Sequence, residues 1–174
     1  MSEALDLENR KRIYDYVSRY PGTYLREIQK DLKLEMGVLE YHLNYLEKKG
    51  LLSSEMDGRL RRFYVSEEVA FLDRKLLGLM RQRIPRKIAI RALLESEVSF
   101  DDLRKDLGIS KSTLSFHLKK MRNLGILQER RRGRRMIYSI RKEDEVAAIL
   151  ITYKSSFLDD LVDRFAEVWM ELRV

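Results

Sequence analysis

The chain has 174 residues, of which 36% are charged and 44% hydrophobic, with a net charge of +7 and no cysteine. That length allows one large or two small domains, and the absence of cysteine excludes disulfides and thiolate metal sites. No run of about 20 apolar residues offers a membrane span, and the opening MSEALDLENRKR lacks the apolar core of a secretory signal, so a cytoplasmic protein is expected.

In chain order, residues 7–19 read as a helix with Leu7, Ile13, Tyr14 and Val17 on its apolar face. Tyr20-Pro21-Gly22 breaks it. Thr23 is placed to cap a second helix over 24–32. A third helix spans 36–49, and a hairpin over 52–65 turns at Asp57-Gly58. Ser66 is placed to cap a connecting helix over 67–82, with Val69, Leu72, Leu76, Leu79 and Met80 on one face. Pro85 suits the first turn of the next helix, which runs to about residue 96. Residues 99–107 give a short helix with Phe100, Leu103 and Leu107 inward, and Gly108-Ile109 forms a tight turn.

Ser110 then caps another helix with Leu114, Leu118 and Met121 on its apolar face. Gly125 can end it in a left-handed conformation. A hairpin follows, turning at Gly133, with Arg130, Arg131, Arg132, Arg134 and Arg135 at its tip. Five arginines so close repel one another unless an anion is near.

A shift of 75 residues superimposes the two halves. Lys30, Asp31 and Leu32 fall on Lys105, Asp106 and Leu107; Leu39, His42 and Leu43 on Leu114, His117 and Leu118; Gly50 on Gly125; and Gly58-Arg59 on Gly133-Arg134. Such a repeat signals one structural unit used twice. The copies differ in charge. Residues 1–83 carry +2, residues 84–142 carry +10, and residues 143–174 carry −5. The second copy therefore faces an anionic partner and the tail does not.

LSFHLKKMRNLGIL with its basic hairpin resembles winged-helix regulators of the ArsR and MarR type, and LEYHLNYLEKKGLL resembles the same motif in tandem winged-helix regulators common in archaea. The resemblance covers roughly residues 8–65 and 84–140. It implies a mainly α protein with small β-wings: two tandem winged helix-turn-helix modules and a long C-terminal dimerisation helix. The divisions are residues 1–66, 67–83, 84–141 and 142–174. The implied activity is sequence-specific binding of double-stranded DNA to regulate transcription, with the second module dominant. Its contacts would come from Ser110, Lys111, Ser112, Thr113, Ser115, Lys119 and Lys120, and from Arg130, Arg131, Arg132, Arg134 and Arg135 of the wing. The first module would add Glu40, Asn44, Arg59, Arg61 and Arg62. The alternative is an adaptor that binds a protein of the transcription machinery, with DNA contact incidental.

Residues 143–172 read as one helix, acidic at its start as the helix dipole favours. Val146, Leu150, Tyr153, Phe157, Leu161, Phe165, Val168 and Leu172 form a stripe, with Trp169 beside it. Pairing with the same helix of a second copy gives a homodimer; packing against the connecting helix is the other reading. His42 and His117 occupy equivalent places, either structural or touching a phosphate or base. The tyrosines of the first module, Tyr14, Tyr16, Tyr20, Tyr24, Tyr41 and Tyr45, either half-line its core or offer an effector pocket or a base-stacking platform. No phosphate loop, nucleophile elbow or metal motif is present in the sequence. An enzyme, a metal and a cofactor are therefore not expected, and an effector or a protein of the transcription machinery is a further candidate partner.

Overall fold

A computed structural model describes residues 2–66, 71–157 and 159–172. The chain forms two compact units, residues 1–78 and 79–174. The first contains α1 (Ser2–Arg19), β1 (Thr23–Tyr24), α2 (Leu25–Leu32), α3 (Met36–Lys48), β2 (Leu52–Asp57) and β3 (Leu60–Val65). The boundary between the units falls within α4 (Phe71–Met80). The start of the expected connecting helix, residues 67–70 with Val69, lies outside the described residues, and with it the first turn that Ser66 was expected to cap. The second unit contains α5 (Arg83–Glu95), β4 (Val98–Ser99), α6 (Phe100–Leu107), α7 (Lys111–Asn123), β5 (Leu127–Arg132), β6 (Arg135–Ile140), α8 (Glu143–Thr152) and α9 (Asp160–Leu172).

The repeat seen in the sequence is a repeat of backbone. Each unit has an antiparallel sheet with the two-residue strand on one side of the hairpin, in the orders β1-β3-β2 and β4-β6-β5. The turn residues Lys33 and Gly108 are both left-handed, with φ of 54° and 61°. Both hairpins set glycine first in a two-residue turn, Gly58 at φ 61° and Gly133 at φ 60°, where a type II′ turn needs it.

The first core is built from Ile13 and Val17 of α1, Ile28 of α2, Leu39, Leu43 and Leu46 of α3, and Leu52, Phe63 and Val65 of the hairpin. Leu7 was expected to join it and is instead 61% exposed. Six residues before Ile13 is about 240° around the helix, well off the Ile13–Val17 stripe. Thr23 does not cap α2. It lies in β1 opposite Phe63, and its hydroxyl donates to Glu27 Oε2 at 2.8 Å while Tyr24 takes the N-cap position. In the second unit Ser99, which falls on Tyr24 in the repeat, takes the N-cap position, and its Oγ accepts from the Asp102 amide at 3.2 Å.

The expected single helix over 143–172 is broken. α8 ends at Thr152, a 3₁₀ turn covers Lys154–Ser156, and α9 starts at Asp160. No glycine or proline marks the break; side chains from α5 and the end of α4 hold it. Arg81 donates to the Ser156 carbonyl at 3.0 Å, and Arg86 donates through Nε and Nη2 to Asp159 Oδ2 at 3.0 and 2.7 Å. Asp159 Oδ1 accepts the Leu161 amide at 3.1 Å, so the same carboxylate opens α9. The chain therefore folds back, and α8 and α9 pack on each other and on α5. Val146, Leu150, Phe157 and Phe165 of the expected stripe are buried inside one protomer, Tyr153, Leu161 and Trp169 are half-buried, and Val168 is exposed.

Candidate nucleic-acid interface

The N-terminus of α7 is held as its sequence demands. Ser110 Oγ accepts from the Thr113 amide at 3.1 Å and lies 2.8 Å from the Thr113 hydroxyl. This leaves Ser110 and Thr113 engaged in the cap, with Thr113 half-buried. Leu114, Leu118 and Met121 are buried, and the opposite face exposes Lys111, Ser112, Ser115, Phe116 and Lys119. Lys120 is half-buried at its edge. The face is thus polar and cationic, apart from one aromatic ring.

The wing sorts its arginines into two groups. Arg130 pairs with Glu97, the residue before β4, and Arg132 lies 3.5 Å from the same carboxylate. The Arg130 hydrogen bond and the two guanidinium charges outweigh desolvation and hold the Glu97 carboxyl below its ordinary range, so it stays ionised. Arg131 donates only to the Gly133 carbonyl, at 3.1 Å. Among the described residues, Arg131, Arg134 and Arg135 have no acidic partner. A further brace joins helix to wing: Arg122 of α7 pairs with Glu129 of β5.

The first unit repeats that brace with its charges exchanged. Glu47 of α3, at the place equivalent to Arg122, accepts from Arg61 Nη2 and from Ser54 Oγ, each at 2.6 Å. Arg61 is thereby tied, though still partly exposed. Arg62, expected at a DNA contact, is 4% exposed. Its Nε donates to Asp57 Oδ2 and its Nη1 to the Gly22 carbonyl, both at 2.9 Å. Alternation along β3 turns Arg62 to the opposite face of the strand from Arg61, so it anchors the hairpin and is not available to DNA. Glu40, Asn44 and Arg59 are exposed as expected. Tyr14 and Tyr16 pack against the core, and Arg10 lies 3.8 Å above the Tyr45 ring. Burial, then the hydrogen bond to Asp31, push the Tyr16 hydroxyl well above its ordinary pKa. Five of the six tyrosines named from the sequence are buried or half-buried, and Tyr41 alone of those six is exposed.

Residues 86–129, which include all of α7, match the family model "Bacterial regulatory protein, arsR family", and residues 7–77 match an N-terminal HTH domain. The HTH-type transcriptional regulator YgaV of Escherichia coli is 33% identical over 75 residues, which cover 42% of this chain and 75% of YgaV. The chain belongs to the HTH-type transcriptional regulators. It is also 34% identical over 133 residues to the HTH-type transcriptional regulator MJ1398 of Methanocaldococcus jannaschii, covering 76% of this chain but only 33% of that longer relative. Among solved structures it is similar to HlyU from Vibrio cholerae, at 25% identity and a TM-score of 0.45, over 51% of this chain and 95% of HlyU.

Three residues of this HTH-type regulator were not singled out from the sequence. Glu97 and Glu129 decide which arginines are engaged within the protein; Glu97 lies more than 30 residues before Arg130, and Glu129 reaches Arg122 only through the helix-to-strand turn. Phe116 falls on Tyr41 in the 75-residue repeat. Its helical position, one after Ser115 and four after Ser112, already placed it on the outer face.

Proposed function

We propose that this regulator binds duplex DNA sequence-specifically, with the exposed face of α7 in the major groove and the β5–β6 wing against the sugar-phosphate backbone. Lys111, Ser112, Ser115 and Lys119 meet base edges and nearby phosphates. Arg131, Arg134 and Arg135 supply most of the non-specific attraction. The observation that carries this reading is the pairing of an open, capped helix face with three arginines that have no acid beside them among the described residues. The first module contributes less, because Arg62 is buried and Arg61 is held by Glu47. Selection of bound fragments from a random pool tests it. A defined consensus is expected, and retention of the whole pool without enrichment would refute sequence-specific binding.

The functional unit in this proposal is a homodimer. Residues buried within the protomer cannot form its seam, which leaves Val168 and Leu172, both exposed and one turn apart on α9, with half-buried Leu161 on the same face. Replacing Val168 and Leu172 by glutamate places charges on this ridge without touching Val162 or Phe165. Sedimentation of the variant is expected to give a folded monomer, and of the native chain a dimer. The selected site should then be an inverted repeat with half-sites about one helical turn, or a multiple of it, apart. A native monomer at tens of micromolar would remove the dimer from the proposal.

A further inference from the structure

The outer face of α7 carries one residue that can make no hydrogen bond. Phe116 is 64% exposed, beside Ser112, Ser115 and Lys119. A lone exposed apolar residue is ordinary on a protein surface. This one is held in place. Its ring packs edge to face with the neighbouring His117 ring, with centroids 5.2 Å apart and planes at 79°. His117 is half-buried, with no hydrogen-bond partner at Nδ1 among the described residues. Burial, and then the charge of Lys120, lower its pKa, so the support is an uncharged imidazole at neutral pH. The same perch exists in the first unit, where Tyr41 is 57% exposed and lies 5.2 Å from His42 at 66°. An aromatic ring has two side-chain torsions, so holding it costs little entropy and makes it a firm probe of shape.

We infer that Phe116 reads the C5 methyl group of a pyrimidine on the floor of the major groove. The inference rests on the proposed DNA-binding reading of α7 and deepens it. Of the groups that base edges present in the major groove, the C5 methyl of thymine is the apolar one, and phenylalanine can recognise it by contact alone. 5-Methylcytosine presents the same methyl beside a different hydrogen-bonding edge. The neighbouring serines and lysines read polar atoms, so the face combines both kinds of recognition. Tyr41 adds a hydroxyl at the matching place, so the two modules do not share one preference.

The test uses the full chain and the site obtained by selection. Each thymine is replaced in turn by deoxyuridine, which removes only the methyl. At one position per half-site affinity should fall about fourfold, as expected for one buried methyl. Phe116→Ala should weaken binding to the native site and abolish that penalty, without changing the salt dependence. Phe116→Leu, which keeps an apolar surface, should retain part of it. At the same position cytosine should bind less well than 5-methylcytosine. If no thymine shows a methyl penalty, or if the penalty persists in Phe116→Ala, the inference is wrong while the DNA-binding proposal stands. If selection yields no defined site, both fall.

Discussion

Alanine at Arg131, Arg134 and Arg135 together is expected to weaken binding to every DNA sequence and to flatten its dependence on salt. Each phosphate contact releases condensed counterions and adds about 0.9 to the slope of log affinity against log salt. Three lost contacts reduce the slope by about 2.7. Between 50 and 200 mM salt the native protein should therefore lose about 40-fold more affinity than the variant. Arg130 and Arg132 are left out of the variant because Glu97 already engages them. Glu97→Gln supplies the converse: it frees both, and should raise affinity and steepen the slope. The control, alanine at Arg59 and Arg61 of the first wing, should change the slope by less per arginine removed, because Glu47 holds Arg61. Titrations at four salt concentrations measure all of these. An equal loss per arginine removed would mean that the modules share the DNA backbone evenly.

The second large effect is on stability. The Arg86 side chain is 7% exposed and that of Asp159 is 19% exposed, and the guanidinium also donates to the carbonyls of Met80 and Arg81. Arg86→Met keeps the volume but leaves the half-buried carboxylate with only the Leu161 amide and the charge of Lys87. Breaking a buried pair from one side costs about 3–5 kcal/mol. For a unit of this size that is a fall in Tm of roughly 15 °C or more. Replacing both partners, Arg86→Met with Asp159→Leu, should restore much of the loss, because no charge is then left alone. The pH dependence has a definite sign. Burial alone would raise the Asp159 pKa, but the hydrogen bonds from Arg86 and the Leu161 amide, with the charges of Arg86 and Lys87, outweigh it and hold it below its ordinary value. Its contribution is therefore present above the unfolded pKa of about 3.9 and is lost as pH falls through the lower folded value. In Arg86→Met the acid transition should move to higher pH. Thermal melts between pH 3 and 7 measure it; a Tm within 2 °C of native would show that the pair is dispensable.

Local chemistry made most of the fold legible. The Ser110 cap, the Leu114–Leu118–Met121 stripe and the glycine-led turns depend on residues a few positions apart, and the 75-residue repeat checked the stripe and the turns against a second copy. The break in the C-terminal helix was hidden for the opposite reason. Nothing between residues 143 and 172 disfavours a helix locally, and the groups that end it, Arg81 and Arg86, lie more than 70 residues away. Periodicity named buried residues such as Val146 and Phe165 without saying whether a second chain or the same one covers them. The basic tip of the wing was plain from composition. Which of its arginines stay without an acid was not, because that depends on Glu97 across the sheet. Arg62 shows the same limit: a charge near a hairpin tip looks available until strand alternation turns it inward.

The brace between Arg122 and Glu129 ties the second helix to the first strand of its wing at the surface. In the proposed complex, whatever adjustment helix and wing do not make falls to the double helix. The work of distorting a site then depends on base steps that no side chain touches, being small for flexible pyrimidine–purine steps and large for rigid A-tracts. The protein would in this way distinguish sequences by their elasticity, at positions lying between its points of contact.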